Sequence, residues 1–126
     1  MKLFLAIAAG GAFGALARYF ITQQSVLWLG LGFPYGVLTV NVLGSFVLGI
    51  FAELSSVAWE PSPTLRALII VGFCGAFTTF SSFSLDVALL YERGAFFRAA
   101  FYIAASVAFS IGALFCGIAL IRSAYS

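Results

Sequence analysis

The stretch Gly72-Phe73-Cys74-Gly75-Ala76-Phe77-Thr78-Thr79-Phe80-Ser81-Ser82-Phe83-Ser84 places five hydroxyl side chains and two phenylalanine rings in the seven positions from Thr78 to Ser84. It lies inside an apolar run long enough to cross a bilayer. A lipid-facing helix does not carry such a run, because polar groups at membrane depth are costly unless they line a cavity or bind one another. Glycine followed by serine and threonine weakens helix propensity, since the hydroxyls compete for backbone groups. Non-helical backbone at that depth survives only inside protein or beside water. The stretch therefore predicts a break in the third span near Gly75 to Thr79. A break frees carbonyls at the end of the first half-helix and N–H groups at the start of the second, which are sites for a cation and an anion respectively.

Outward from this stretch the chain has the composition of a membrane protein. Of 126 residues, 63% are hydrophobic and 8% charged, against roughly 25% charged in a soluble domain. A chain of this size has no core large enough to hide that much apolar surface, so the remainder faces lipid. Spanning helices need about 20 mostly apolar residues, and four stretches qualify: 3–22, 35–56, 65–91 and 95–121. The expected fold is an all-α integral membrane domain over 1–126, with four transmembrane helices, the third broken mid-membrane, and both termini on one side. The connections are expected at Gln23-Gln24-Ser25 through Gly32-Phe33-Pro34, at Trp59-Glu60-Pro61-Ser62-Pro63 and at Glu92-Arg93-Gly94. Trp28, Trp59, Tyr35, Tyr91 and Tyr125 fall near the span ends, where amphipathic rings sit at headgroup level. Lys2 and the run to Ala6-Ile7-Ala8 look like the start of a signal peptide, but too few apolar residues precede that cut. The first span is expected to stay uncleaved.

Charge and residue types exclude several functions. The net charge is +2 and the six basic residues are scattered, so no cluster tracks phosphates and no nucleic-acid partner is expected. Histidine is absent, which removes the usual imidazole base and metal ligand and makes an enzyme a poor reading. Cys74 and Cys116 lie in apolar runs and read as small buried hydrophobes. Lys2, Arg66 and Arg122 flank the side of the termini, while Arg18, Arg93 and Arg98 flank the other. Such a tie permits insertion both ways and pairing of two opposed copies about a two-fold axis in the membrane plane. Alternatively Arg18 is a buried structural residue, which restores a bias towards termini inside. Both readings stay open on sequence.

The remaining polar residues fall on helical faces. Gly10, Gly14 and Arg18 recur every four residues, a small-residue face suited to close helix packing. Asn41, Ser45 and Gly49 share a face of the second span, and Tyr102, Ser106 and Ser110 form a hydroxyl stripe on the fourth. Each set reads either as interhelical glue or as the lining of an ion path. Glu53 and Asp86 lie towards span ends, so no carboxylate serves a cation at mid-depth. Asn41, the hydroxyls and the freed N–H groups are donors, and Phe80 and Phe83 offer the positive edges of their rings. Weak, numerous, uncharged donors suit conduction of an anion, because a full positive charge would trap it.

Three motifs carry a resemblance: Gly10-x-x-x-Gly14-x-x-x-Arg18-Tyr19, Gly36-x-Leu38-x-Val40-Asn41-x-x-Gly44, and Gly72-Phe73-x-Gly75-x-x-Thr78-Thr79-Phe80-Ser81-x-Phe83-Ser84. Together they resemble the Fluc (CrcB) fluoride channels over nearly the whole chain. The resemblance implies a dual-topology antiparallel homodimer in the inner cell membrane, with two fluoride pathways at the subunit interface and passive fluoride export that relieves toxicity. It implies a structural Na+ at the dimer centre, held by the backbone carbonyls of Gly75 and Thr78. It maps the pore phenylalanines to Phe80 and Phe83, the pathway asparagine to Asn41, and the polar track to Ser81, Ser82, Tyr102, Ser106 and Ser110. Ala76 stands where a second glycine is common, and Asp86 where glutamate is common. Two rivals are a proton-driven small multidrug exporter, which needs a carboxylate absent from 3–22, and a membrane scaffold in which the hydroxyl run is glue.

Overall fold

The computed structural model describes all residues from Met1 to Ser126 and is helical throughout, without strands. Helix α1 spans Lys2–Leu29 and α2 spans Tyr35–Val57. The third crossing is composite: α3 (Pro63–Arg66) runs into a π-helical segment (Ala67–Cys74) and then α4 (Gly75–Phe77), and after an interruption α5 (Ser81–Glu92) completes it. Helix α6 spans Phe96–Ala124. Four segments of 28, 23, 30 and 29 residues are each long and apolar enough to cross a membrane.

The first span is longer than expected, and its polar end Gln23-Gln24-Ser25 is helix rather than connection. Glutamine is a good helix former, and the Thr22 and Ser25 hydroxyls fold back to donate to the carbonyls of Tyr19 and Thr22, each at 2.9 Å. The helix stops only at Gly30, whose φ of 81° lies in the left-handed region open to glycine. The third crossing starts at a conventional cap. Ser62 Oγ accepts from Leu65 N–H at 3.1 Å, with Pro63 in the first turn.

Two close crossings hold the bundle. Gly10 and Gly14 of α1 lie against the backbone of the π-helical segment, where a side chain at Gly10 would overlap the Leu68 carbonyl and one at Gly14 the Phe73 carbonyl. That is the packing role expected of this small-residue face. Helix α6 packs along α2, and the two run in the same direction. Near their C-terminal ends Arg122 Nη2 donates to Glu53 Oε2 at 3.0 Å, so the Glu53 carboxylate is buried but paired. The pairing of these two residues had no signal in the sequence. Cys74 is buried as expected, whereas Cys116 is exposed on the outer face of α6. In a lipid solvent an apolar face has no need to turn inward, so burial cannot be inferred from an apolar run alone.

Candidate functional site

The interruption of the third crossing sits at 78–80, at the C-terminal edge of the stretch where sequence placed it. Gly75 and Ala76 are helical, and the backbone turns extended at Thr78 (φ −86°, ψ 160°). The hydroxyls drive this. Thr78 Oγ1 joins its own N–H on the Cys74 carbonyl, at 2.8 Å and 3.1 Å, and Ser82 N–H is taken by Thr79 Oγ1 at 3.1 Å, so a side chain competes for the ladder at the first edge and replaces it at the second.

Other helices supply what the ladder loses. Asn41 of α2 pairs with the Thr79 peptide, Oδ1 accepting from N–H at 2.8 Å and Nδ2 donating to the carbonyl at 3.1 Å. Arg18 of α1 donates through Nε to the Ala76 carbonyl at 3.0 Å, and Nη1 reaches Ser82 Oγ at 3.5 Å. One guanidinium thus spans the gap between the two half-helices, and a cation at a helix C-terminus is favourable. Gly44, buried on α2, brings that helix against Thr78 and Phe77, where any side chain would collide with the threonine methyl.

Some backbone groups stay free. The carbonyls of Gly75, Phe77 and Thr78 receive no hydrogen bond, and the N–H groups of Phe80, Ser81 and Phe83 donate none. Beside the second set lies a cleft of about 300 Å³ lined by Asn41, Ser45, Thr78, Thr79, Phe80, Phe83, Ser106, Val107, Ser110 and Ile111. No lining residue is charged. The hydroxyls of Ser106 and Ser110 are buried without a hydrogen-bond partner. Phe80 projects outward, 77% exposed, while Phe83 is buried; their rings are 5.5 Å apart and tilted by 48°.

Of the residues singled out in the sequence, Asn41, Phe80, Phe83, Ser106 and Ser110 therefore meet in one cleft. Ser81 is exposed beside it and shares a 3.3 Å hydrogen bond with Thr79, and Ser82 faces Arg18. Tyr102, on the same helix as the two serines, does not line this cleft. It is fully buried, its ring packs 5.1 Å from Phe83, and its hydroxyl donates to Asp86 Oδ2 at 2.9 Å. Ser45 on the Asn41 face and Thr79 within the third motif line the cleft too, together with Val107 and Ile111, apolar residues of α6 that no motif marks.

The freed oxygens of Gly75 and Thr78 are the donor type that a hard cation takes. One chain offers two of them, and Gly75 is exposed on the surface of this single copy. In donor chemistry the pair is compatible with a hard cation such as sodium, though two oxygens alone do not complete its shell. No cluster of carboxylate, thiol or imidazole ligands exists as an alternative metal site.

The family model described as "CrcB-like protein, Camphor Resistance (CrcB)" matches residues 5–118. The chain belongs to the CrcB-like family. Its similarity to individual CrcB-like proteins extends along almost the whole sequence. A protein of Rhodospirillum centenum is 56% identical over 98% of this chain and 98% of its own length. Proteins of Rhizobium etli and Nitrobacter winogradskyi are 50% and 49% identical over 94% of this chain, and over 95% and 94% of their own lengths. All three are named fluoride-specific ion channel FluC. The resemblance drawn from the three motifs is thereby borne out for this CrcB-like chain.

Proposed function

We propose that this chain is a fluoride channel, a transport protein and not an enzyme, working as an antiparallel pair of copies in the inner cell membrane. The names of the relatives support the ion. One observation carries the mechanism: an uncharged cleft is lined by Phe80 and Phe83, whose backbone N–H groups have no partner, and by Ser106 and Ser110, whose buried hydroxyls have none either. Fluoride is small and strongly hydrated, so a path for it must replace water with several hydrogen-bond donors. Each donor must be weak enough to release the ion. Phe80 and Phe83 add ring edges, whose positive rim faces an anion favourably.

Each residue then has a task. Ser106 and Ser110 offer rotatable O–H donors along the wall formed by α6. Asn41, with both amide functions committed to Thr79, keeps the α5 N-terminus open and has one N–H left to give. Arg18 holds the two half-helices in register. Tyr102 and Asp86 fix the ring of Phe83 from behind. The outward Phe80 and the exposed Gly75 support a second copy packing at this face, with sodium held at the centre by Gly75 and Thr78 of both chains; when bound, that ion neutralises the carbonyl ends of the first half-helices. Export is passive, down the electrochemical gradient.

Reconstitution in liposomes loaded with potassium fluoride, with potassium conductance supplied by an ionophore, tests the reading. A fluoride electrode should record rapid efflux on opening the potassium pathway, and matched chloride-loaded vesicles should stay silent. Fluoride retention, or chloride release at a comparable rate, would remove the proposal.

A further inference from the structure

The α1–α2 and α5–α6 turns lie at the same end of the bundle, and both are made by glycines in the left-handed region, Gly30 (φ 81°) and Gly94 (φ 77°). After Gly30 the chain presents the Gly32 carbonyl outward. Gly94 sits between the two arginines that converge on it. Arg98 Nη1 donates to the Gly32 oxygen at 3.0 Å and Arg93 Nη2 at 3.4 Å.

Neither guanidinium has a carboxylate partner, since the one ion pair of the chain is Glu53–Arg122 at the other end. Two like charges are gathered about a single neutral oxygen, which balances neither of them. A guanidinium carries five N–H donors in a planar fork, and most of these remain free and exposed. An anion with several acceptor oxygens, such as a phosphate, is the partner such a pair suits. Directly beside Arg98 lies a cleft of about 140 Å³ walled by Phe33, Tyr35, Phe97 and Phe101. Phe33 holds it open, its ring 5.0 Å from Tyr35 and 6.1 Å from Phe101.

We propose that Arg93 and Arg98 bind the phosphate of an anionic phospholipid, with the first segment of an acyl chain entering the Phe33–Phe101 cleft. A free phosphate ion would use the charges but leave the aromatic cleft without purpose, whereas a lipid uses both. The end of a membrane span is also the depth at which headgroups lie. Such a lipid site requires only that the chain spans a bilayer, whatever ion it conducts.

Native mass spectrometry of the detergent-solubilised protein titrated with phosphatidylglycerol and, separately, phosphatidylcholine is the test. Phosphatidylglycerol should bind in preference. Each arginine near a membrane surface contributes enough for about a fivefold change in affinity, so Arg98→Gln should weaken phosphatidylglycerol binding about fivefold and the Arg93→Gln/Arg98→Gln pair roughly 25-fold. Phe97→Ser should weaken the lipid as well, while millimolar inorganic phosphate should not displace it. Should the double variant fail to fold, the Arg98→Gln single variant decides. Unchanged affinity in a folded arginine variant, no preference over phosphatidylcholine, or displacement by inorganic phosphate would each overturn the lipid site.

Discussion

The side-chain amide of Asn41 and the peptide of Thr79 form a closed two-bond pair, as two strands of a sheet would, although one partner is a side chain on a helix. The pair satisfies a peptide that the interrupted third crossing leaves without a ladder. Asn41→Ala should therefore lower melting temperature as well as fluoride flux, because a half-buried N–H and carbonyl are orphaned at about 1 to 3 kcal/mol each. Thermal unfolding in detergent beside liposome efflux checks this. A lost flux with an unshifted melting temperature would show that Asn41 serves the ion and not the backbone.

Arg18 bridges Ala76 and Ser82 through two different nitrogens of one fork. A lysine carries the same charge but offers one point of attachment. Arg18→Lys should therefore lose about 1 to 2 kcal/mol of stability and widen the spread of flux rates among vesicles. Stability equal to that of the parent chain would mean that charge alone suffices there.

Phe80 and Phe83 share the cleft but differ in burial, 77% exposed against 9%. Replacement of either by isoleucine should cut flux about tenfold or more, since the ring edge is lost. Phe83→Ile should also reduce stability by about 1 to 2 kcal/mol, because it leaves a gap against Tyr102. Phe80→Ile should melt closer to the parent. Flux unaffected by both substitutions would dismiss the ring edges.

Gly14 meets the Phe73 carbonyl so closely that any side chain displaces backbone. Gly14→Val is expected to separate α1 from the π-helical segment, with destabilisation of about 3 kcal/mol. Arg18 would move with the helix and release the break. Expression and thermal melts give the answer, and a normally folded Gly14→Val protein would contradict the close crossing.

Exchange of sodium for a large organic cation should loosen the pair of copies or stop conduction if Gly75 and Thr78 oxygens hold the ion. Cross-linking yield and efflux, measured together after the exchange, distinguish a structural ion from an idle one. Indifference of both would remove sodium from the account.

Much of this arrangement was legible in the residues themselves. Gly10, Gly14 and Arg18 pointed to a close packing face, and the hydroxyl run pointed to a helix interruption, because lipid permits few uses for glycine and serine. Partnerships were not legible. The same Asn41 reads as ion donor or brace until Thr79 stands 2.8 Å away, and Tyr102 reads as part of a stripe until Asp86 captures its hydroxyl.

Sequence alone determined the solvent, the four crossings, the interruption and the family, since each is a property of composition or of order along one chain. Tertiary structure decided which polar group answers which: Arg18 to Ala76, Asn41 to Thr79, Arg122 to Glu53 and two arginines to Gly32. The physical reason is the reach of hydrogen bonds. They act over about 3 Å, and residues 38 to 69 positions apart come within that distance only after the helices have packed.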